Sequence, residues 1–357
     1  MAIVCVEDYR ARARNRIAAH NWDYIEGGSG SELSVDANRT AFDAVRLRPR
    51  VLVDVAEPDP AVRLIGSGLS VPVGVAPTAY HRMAHPDGEV ETARGTGVAG
   101  ALFVVSTFAS RTLEDIAASA AGPLWLQLYW LRDRAKLTRL VRRAEAAGFS
   151  ALVLTVDTPH LGLRRRDLRN GFALDPELAP ANLDDQDANL QHQGRDGESA
   201  LARHAAQAFD ASITWADLAW LRGLTTLPIL LKGVLTAEDA LLAVESEMNG
   251  VIVSNHGGRQ LDGAVPSLVA LREVVAAVGG RIPVLVDGSV RSGRDVFVAL
   301  ALGARAVLVG RPVLWSLAVG GGDGVADMLR LLTREFVQTM ALTGRPRVAD
   351  IDDSAIA

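Results

Sequence analysis

Short apolar runs recur along this chain at fairly even intervals: Val71–Ala79, Ala101–Thr107, Leu124–Tyr129, Ala151–Asp157, Pro228–Gly233, Gly250–Asn255, Pro283–Gly288 and Ala306–Pro312. None alternates strictly between apolar and polar residues, so each predicts a strand covered on both faces. Amphipathic helical pattern separates most of them. Four of the predicted helices open on one device, a Ser or Thr followed three residues later by Asp: Thr112/Asp115, Thr214/Asp217, Thr236/Asp239 and Ser292/Asp295. These read as capping boxes in which Asp stands in for the usual Glu. Gly148, Gly250 and Gly303 each stand shortly before a strand and are expected to supply the left-handed residue that stops a helix. Eight strand–helix units in succession predict an α/β chain folded as a (β/α)8 TIM barrel, because a doubly wound open sheet more often has about five or six strands.

Two segments interrupt the rhythm. Residues 1–70 read as a helical N-terminal arm, with helices around Val6–His20 and Val35–Phe42, leading into a barrel over 71–357. The second, about 163–212, is too long for a strand–helix connection and carries the polar stretch Asn182–Gly197, so it is expected to be a mobile lid over an active site. No linker divides the chain, and 1–357 is read as a single domain.

Composition narrows the function classes. The chain has 357 residues, 49% hydrophobic and 22% charged, which suffices for one large core. A net charge of −5 argues against nucleic acid or an anionic membrane as partner, while leaving local arginines free to hold a small anion. One cysteine, Cys5, excludes an internal disulfide framework and a Cys-rich metal site and fits a reducing compartment. Met1–Arg10 includes Glu7 and Asp8 and no apolar core, the chain ends Ile-Ala, and no run approaches the roughly 18 residues of a membrane span. A cytoplasmic location is expected.

The chemistry gathers at the strand ends. In a barrel the C-terminal ends of the strands converge on one cavity. Here they read Pro77-Thr78-Ala79-Tyr80, Ser106-Thr107-Phe108, Gln127-Leu128-Tyr129, Thr155-Val156-Asp157, Lys232, Ser254-Asn255-His256, Asp287-Gly288-Ser289 and Gly310-Arg311. So many polar groups in buried runs imply a large polar ligand. The run Val251–Gly263 ends in a histidine, paired glycines and Arg259, the composition of an active-site mouth. Asp287–Arg291 and Gly310–Arg311 combine small residues, a following helix start and two arginines, which is the usual barrel phosphate site. Gly27-Gly28-Ser29-Gly30 lies outside any strand–turn–helix context, so a nicotinamide fingerprint is absent. His81 and His85 have helical spacing, but no acid or third ligand accompanies them, so no metal is expected.

These residues carry a resemblance. Over essentially its whole length the chain resembles the FMN-dependent α-hydroxy acid oxidases and dehydrogenases, through Ser254–Gln260, Arg46–Arg50, Pro77–Ala79, Met83–Pro86, Gln127–Tyr129, Leu154–Pro159, Leu231–Gly233, Asp287-Gly288 and Gly310–Pro312. The resemblance implies an enzyme with FMN as cofactor. It makes His256 the base that takes a proton from the substrate and Asp157 the carboxylate that stabilises the resulting imidazolium. Arg164 and Arg259 are implied as a clamp on the substrate carboxylate, with Tyr24 and Tyr129 adding hydroxyl contacts. For the flavin it implies Pro77, Thr78 and Ala79 against the ring near N5, and Ser106, Gln127, Thr155 and Ser254 at its polar edge and ribityl chain. Lys232 is placed near N1, and the phosphate on Gly288, Ser289, Arg291, Gly310 and Arg311, with Asp287 on ribityl hydroxyls.

Two departures stand out: Phe108 where glycolate-oxidising members often have tryptophan, and Ser289 where glycine is common. Tyr80, Trp130–Asp133, Arg169–Leu174 and Asp262–Pro266 are similar to the 4-hydroxymandelate-oxidising branch, which points to an (S)-mandelate-type acid oxidised to the 2-oxo acid, with O2 reduced to hydrogen peroxide. Lactate or another aliphatic 2-hydroxy acid, and a non-oxygen acceptor, stay open as alternatives, as does hydride against carbanion chemistry. The resemblance also implies a homotetramer or octamer. A barrel that only binds a phosphorylated ligand needs neither His256 nor Arg259, and a non-redox flavin isomerase needs no base beside a carboxylate clamp.

Overall fold

The computed structural model describes residues 2–175, 177–183 and 205–357. Eight parallel strands close a barrel in chain order: β3 (Val73–Val75), β4 (Leu102–Val105), β5 (Leu124–Leu128), β6 (Ala151–Thr155), β7 (Ile229–Val234), β8 (Gly250–Val253), β9 (Val284–Asp287) and β10 (Ala306–Val309), with β10 paired back to β3. Seven fall inside the expected apolar runs, and β7 runs one residue past Pro228–Gly233, to Val234. Both faces of these strands are buried. Leu102, Val104, Trp125, Ala151, Val153, Leu230, Ile252, Leu285 and Leu308 form the inner cluster, while Phe103, Leu126, Leu152, Leu231, Val253, Val286 and Val307 belong to the layer shared with the helices. That double burial is why no polar alternation appears in the sequence.

Local signals place most helices as expected. Thr112, Thr236 and Ser292 hydroxyls accept from the N–H groups of Asp115, Asp239 and Asp295 at the helix starts. Thr214 and Asp217 form a capping box on a short 3-10 turn that feeds the helix Leu218–Leu224. Gly148 and Gly303 adopt φ of +83° and +97°. Gly250 is different: the left-handed residue after the helix Ala237–Glu245 is Glu247, φ +57°, and Gly250 is the first residue of β8. A Cβ there would stand 3.0 Å from Leu230 Cδ2 and 3.1 Å from the Pro283 carbonyl oxygen, so its glycine answers to packing between neighbouring strands.

The arm departs from expectation in two ways. The single helix expected over Val6–His20 is two, α1 (Val6–Ala13) and α2 (Ala19–Glu26), followed by α3 (Leu33–Ala44). In one continuous helix Trp22 and Ile25 would lie roughly 100–180° around from Val6, Tyr9 and Ala13 at 3.6 residues per turn, so only a break lets both groups enter the core. The end of the arm also holds a hairpin, β1 (Val62–Leu64) with β2 (Ser67–Leu69), whose Leu64 and Leu69 join the inner barrel cluster. Within the expected lid, residues 163–175 and 177–183 pack onto the body instead of standing free: Phe172, Leu174 and Leu178 are buried. Residues 184–204 of that lid lie outside the described residues. Among the described residues no helix is long and apolar enough to cross a membrane.

Candidate active site

The eight strand ends and the end of α2 surround one cavity that opens to solvent on one side. Of the residues singled out from the sequence, Tyr24, Pro77, Thr78, Ala79, Ser106, Phe108, Tyr129, Arg164, Lys232, His256, Arg259, Asp287, Gly288, Ser289, Arg291, Gly310 and Arg311 line it. Gln127, Thr155, Ser254 and Asp157 do not. They stand one layer behind and hold those that do. Gln127 accepts from Ser106 Oγ and Thr107 N and donates to Thr155 Oγ1, and Ser254 Oγ accepts from Lys232 Nζ at 2.8 Å and from His256 N at 3.0 Å.

Asp157 and His256 form a dyad. His256 Nδ1 lies 3.0 and 3.2 Å from the two carboxylate oxygens of Asp157. An ionised carboxylate only accepts, so Nδ1 carries the proton and Nε2 is left as the basic nitrogen. Burial alone would push the Asp157 carboxyl up; His256, Lys232 and the Thr158 hydroxyl hold it below its ordinary value. The approach depends on Gly233, whose φ is +109° and where a Cβ would stand 2.6 Å from Asp157 Cβ. His256 itself sits at φ +58°, a strained conformation for a residue with a side chain. Gln260 fastens the loop by donating to the carbonyls of Asp157 and His160, and Asn255 exchanges two amide hydrogen bonds with Asn38 of α3.

Five cations face this one cavity in a chain of net charge −5. Lys232 has a counter-ion in Asp287, at 3.0 Å. Arg259 spends only its Nη1, on the carbonyls of Tyr24, Ile25 and Gly27. Exclusion of water, then the neighbouring Arg164 and Arg311 charges, push Arg259 down to about 9; Arg311, bonded to the Ile25, Gly27 and Gly257 carbonyls, is pushed down to about 10 mainly by exclusion of water. Arg291 is lowered in the same way, with Glu7 at 3.6 Å. Arg259 and Arg311 remain charged at neutral pH, and neither forms an ion pair among the described residues, which is the condition of an anion site. Arg164 Nε and Asp287 Oδ1 are buried with no hydrogen-bond partner among the described residues. Of the run Arg164–Arg166, Arg164 faces the cavity while Arg165 and Arg166 bond Ser31 and Glu32 of the arm.

The four arginines fall into two groups. Arg164 and Arg259 lie over the Tyr24 ring, at 5.4 and 4.9 Å from its centroid, near His256. Arg291 and Arg311 stand beside Gly288 and Ser289, whose positive φ values of +104° and +62° form the loop after β9. Ser289 thus occupies the left-handed region where glycine fits without strain, which is the physical reason glycine is common there; nothing in the structure explains the serine. The donor set suits FMN: paired guanidinia for a phosphate, an orphaned carboxylate oxygen for hydroxyls, and Lys232 within the same wall.

The remaining wall is aromatic. Tyr129 stacks on Phe209 with centroids 4.4 Å apart, Phe108 lies 5.5 Å from Tyr129 and 5.9 Å from Phe209, and Phe172 stacks on Tyr24 at 4.7 Å. Burial, then the nearby Asp157 and Tyr24, raise the Tyr129 hydroxyl well above its ordinary value, so it stays protonated and able to donate. Phe209, Phe172, Asn38 and Gln260 were not singled out from the sequence. Gln260 lies inside the His256 motif and was within reach; Phe209 follows a polar stretch with no local signal that it faces a ligand.

Residues 13–357 match the family described as FMN-dependent dehydrogenase. The chain is 47% identical to glycolate oxidase 1 of Zea mays over 349 residues, covering 98% of this chain and 94% of that one. It is 48% identical to 4-hydroxymandelate oxidase of Amycolatopsis orientalis over 344 residues, covering 96% and 95%. The solved structure of a mandelate oxidase with (S)-4-hydroxymandelic acid superposes with a TM-score of 0.95 at 46% identity, over 99% of this chain and 98% of that one.

Proposed function

We propose, from the premise that the chain belongs to the FMN-dependent dehydrogenase family, that it oxidises an (S)-2-hydroxy acid with an aryl side chain, mandelate or 4-hydroxymandelate, to the 2-oxo acid with formation of hydrogen peroxide. The observation that carries the aryl assignment is the Phe108–Tyr129–Phe209 wall in the same cavity as His256. A phenyl ring gains there by burial and by ring packing.

Arg291, Arg311, Asp287 and Lys232 would hold FMN, which would supply the two-electron acceptor between the acid and O2. Arg164 and Arg259 hold the substrate carboxylate through nitrogens that bond nothing among the described residues, with Tyr24 and Tyr129 beside them. This fixes the reacting carbon toward His256, whose Nε2 takes one proton of the CH–OH group. Asp157 keeps the imidazole in the required tautomer and stabilises its cation. The acid loses two electrons and two protons, and O2 gains both to become H2O2, so the reaction balances. Maize glycolate oxidase, similar at 47% identity, supports an aliphatic acid as the second reading, since an aromatic wall also narrows a pocket for a small substrate. A single-domain, cytoplasmic homotetramer or octamer belongs to the same proposal and is checked by light scattering and fractionation.

The test is anaerobic bleaching of the purified yellow protein by (S)-mandelate, 4-hydroxymandelate, lactate and glycolate, followed by peroxide assay on admitting air. Aryl acids are expected to bleach it fastest, with one peroxide per acid consumed. Faster bleaching by lactate or glycolate moves the assignment to the second reading, and bound FMN that no 2-hydroxy acid bleaches overturns both.

A further inference from the structure

Phe209 reaches the cavity from a segment that is tied to the loop after β5 by a very short ladder. Leu131 and Phe209 stand directly opposite in an isolated antiparallel bridge. Asp210 N donates to the Trp130 carbonyl on one side of it and Arg132 N to the Ala208 carbonyl on the other, both at 2.9 Å. Side chains alternate along an extended segment, so Trp130 and Asp210 turn to the face away from Phe209. There they meet Arg134, the first residue of the helix Arg134–Ala146. Arg134 Nη2 donates to Asp210 Oδ2 at 2.7 Å and Nη1 to the Leu131 carbonyl. The guanidinium lies 4.2 Å from the Trp130 ring centroid and 5.8 Å from that of Trp220, and the two indoles meet edge to face at 5.5 Å. Asp210 Oδ1 is held in turn by the Ser212 hydroxyl at 2.6 Å and the Ser212 N–H at 3.1 Å. One side chain thus grips both partners of the bridge from behind.

We propose that Arg134 is a specificity-determining positioning residue: by holding Asp210 it fixes the register of residues 208–210 against 130–132, and so keeps the Phe209 ring in the wall that receives the substrate side chain. Tyr129 and Phe209 line the cavity, whereas Arg134 and Asp210 stand outside it. Register decides the wall because a slip of one residue exchanges the two faces of an extended segment, turning Phe209 away and bringing Ala208 or Asp210 toward Tyr129. Two backbone bonds specify register weakly, since backbone groups are alike at every residue. The ion pair is not degenerate in this way: the neighbours of Asp210 are Phe209 and Ala211, and a slip in either direction would set an apolar residue against the guanidinium. The pair is 33% and 19% exposed, so solvent screens it only in part. The inference rests on the reading that the aromatic wall receives the side chain of a 2-hydroxy acid.

The experiment compares kcat/KM for (S)-mandelate and for lactate in the FMN-loaded protein, with FMN content measured in parallel. Arg134→Met keeps an apolar stem and removes the charge. It is expected to lower the mandelate-to-lactate ratio about 3- to 10-fold, the range of one aromatic contact, mostly through KM for mandelate and with FMN content unchanged. In a Phe209→Ala background the same substitution is expected to move the ratio by less than about twofold, because the two changes remove one interaction. Should Arg134→Met not fold, Asp210→Asn provides the same test: it keeps an amide oxygen for Ser212, removes the charge, and is expected to lower the ratio in the same direction. An unchanged ratio in a folded, FMN-loaded Arg134→Met or Asp210→Asn protein overturns the proposal alone, as does an equal fall in the Phe209→Ala background. A wild-type protein that prefers lactate overturns the aryl assignment alone, since each variant is measured against its own parent. A wild-type protein that oxidises no 2-hydroxy acid overturns both.

Discussion

Asp157→Asn removes one negative charge from the dyad while leaving an amide oxygen that can still accept from His256 Nδ1. The carboxylate oxygen is 3.0 Å from Nδ1, and the two side chains are 12% and 20% exposed, so solvent screens the pair only in part. With the charge centres about 4 Å apart and an effective dielectric constant of about 20, the attraction between carboxylate and imidazolium is about 4 kcal/mol. That attraction is present only once the proton has moved to Nε2, so its loss falls on the barrier. At about 1.4 kcal/mol per decade, flavin reduction is expected to slow by about 10²–10³-fold. The assay is anaerobic stopped-flow, following the flavin absorbance after mixing with (S)-mandelate, with FMN content measured in parallel. FMN retention is expected to be unchanged, because Asp157 does not line the cofactor wall. A reduction rate within tenfold of wild type at full FMN loading would refute the assignment of Asp157 as the partner that stabilises the cation.

Three further outcomes follow from the same geometry. Phe209→Ala is expected to lower kcat/KM for (S)-mandelate about 3- to 10-fold, the value of one aromatic pair, while lactate changes by less than about twofold; equal losses on both substrates would show that the ring supports Tyr129 and not the substrate. Gly233→Ala places a Cβ 2.6 Å from Asp157 Cβ at φ +109°, so a loss of about 1–3 kcal/mol in denaturant unfolding together with slowed flavin reduction is expected, and an unchanged midpoint would contradict the tight approach. Asp157 titrates below its ordinary value, so its contribution to stability is complete above about pH 4 and is lost as pH falls through its lower folded value. The gap in melting temperature between wild type and Asp157→Asn is therefore expected to close as pH falls below about pH 4; a gap that widens there would reverse the sign.

What could be read along the chain, and what could not, divides by the range of the forces involved. Apolar run length, the Ser/Thr-x-x-Asp starts and the polar strand ends are local, and they determined the barrel, the strand order and most of the residues that meet at its mouth. Partnerships across the fold are not local. Arg164, and not Arg165 or Arg166, turns to the cavity because Ser31 and Glu32 of the arm take the other two. The break between α1 and α2, which brings Tyr24 under two guanidinia, is set by which faces reach the core, and the β1–β2 hairpin by the need to fill the barrel interior. Gln127, Thr155 and Ser254 carry the polarity expected of ligand contacts but stand one layer back, since polarity at a strand end does not say which side of the wall a side chain occupies. Phe209 reaches Tyr129 from 80 positions along the chain, and no pattern near it announces that contact. The sequence alone thus determined an architecture and a set of chemical groups, because propensity and periodicity act over a few residues. Only the tertiary structure decided which groups face one another, because that depends on register and packing between elements far apart in the chain.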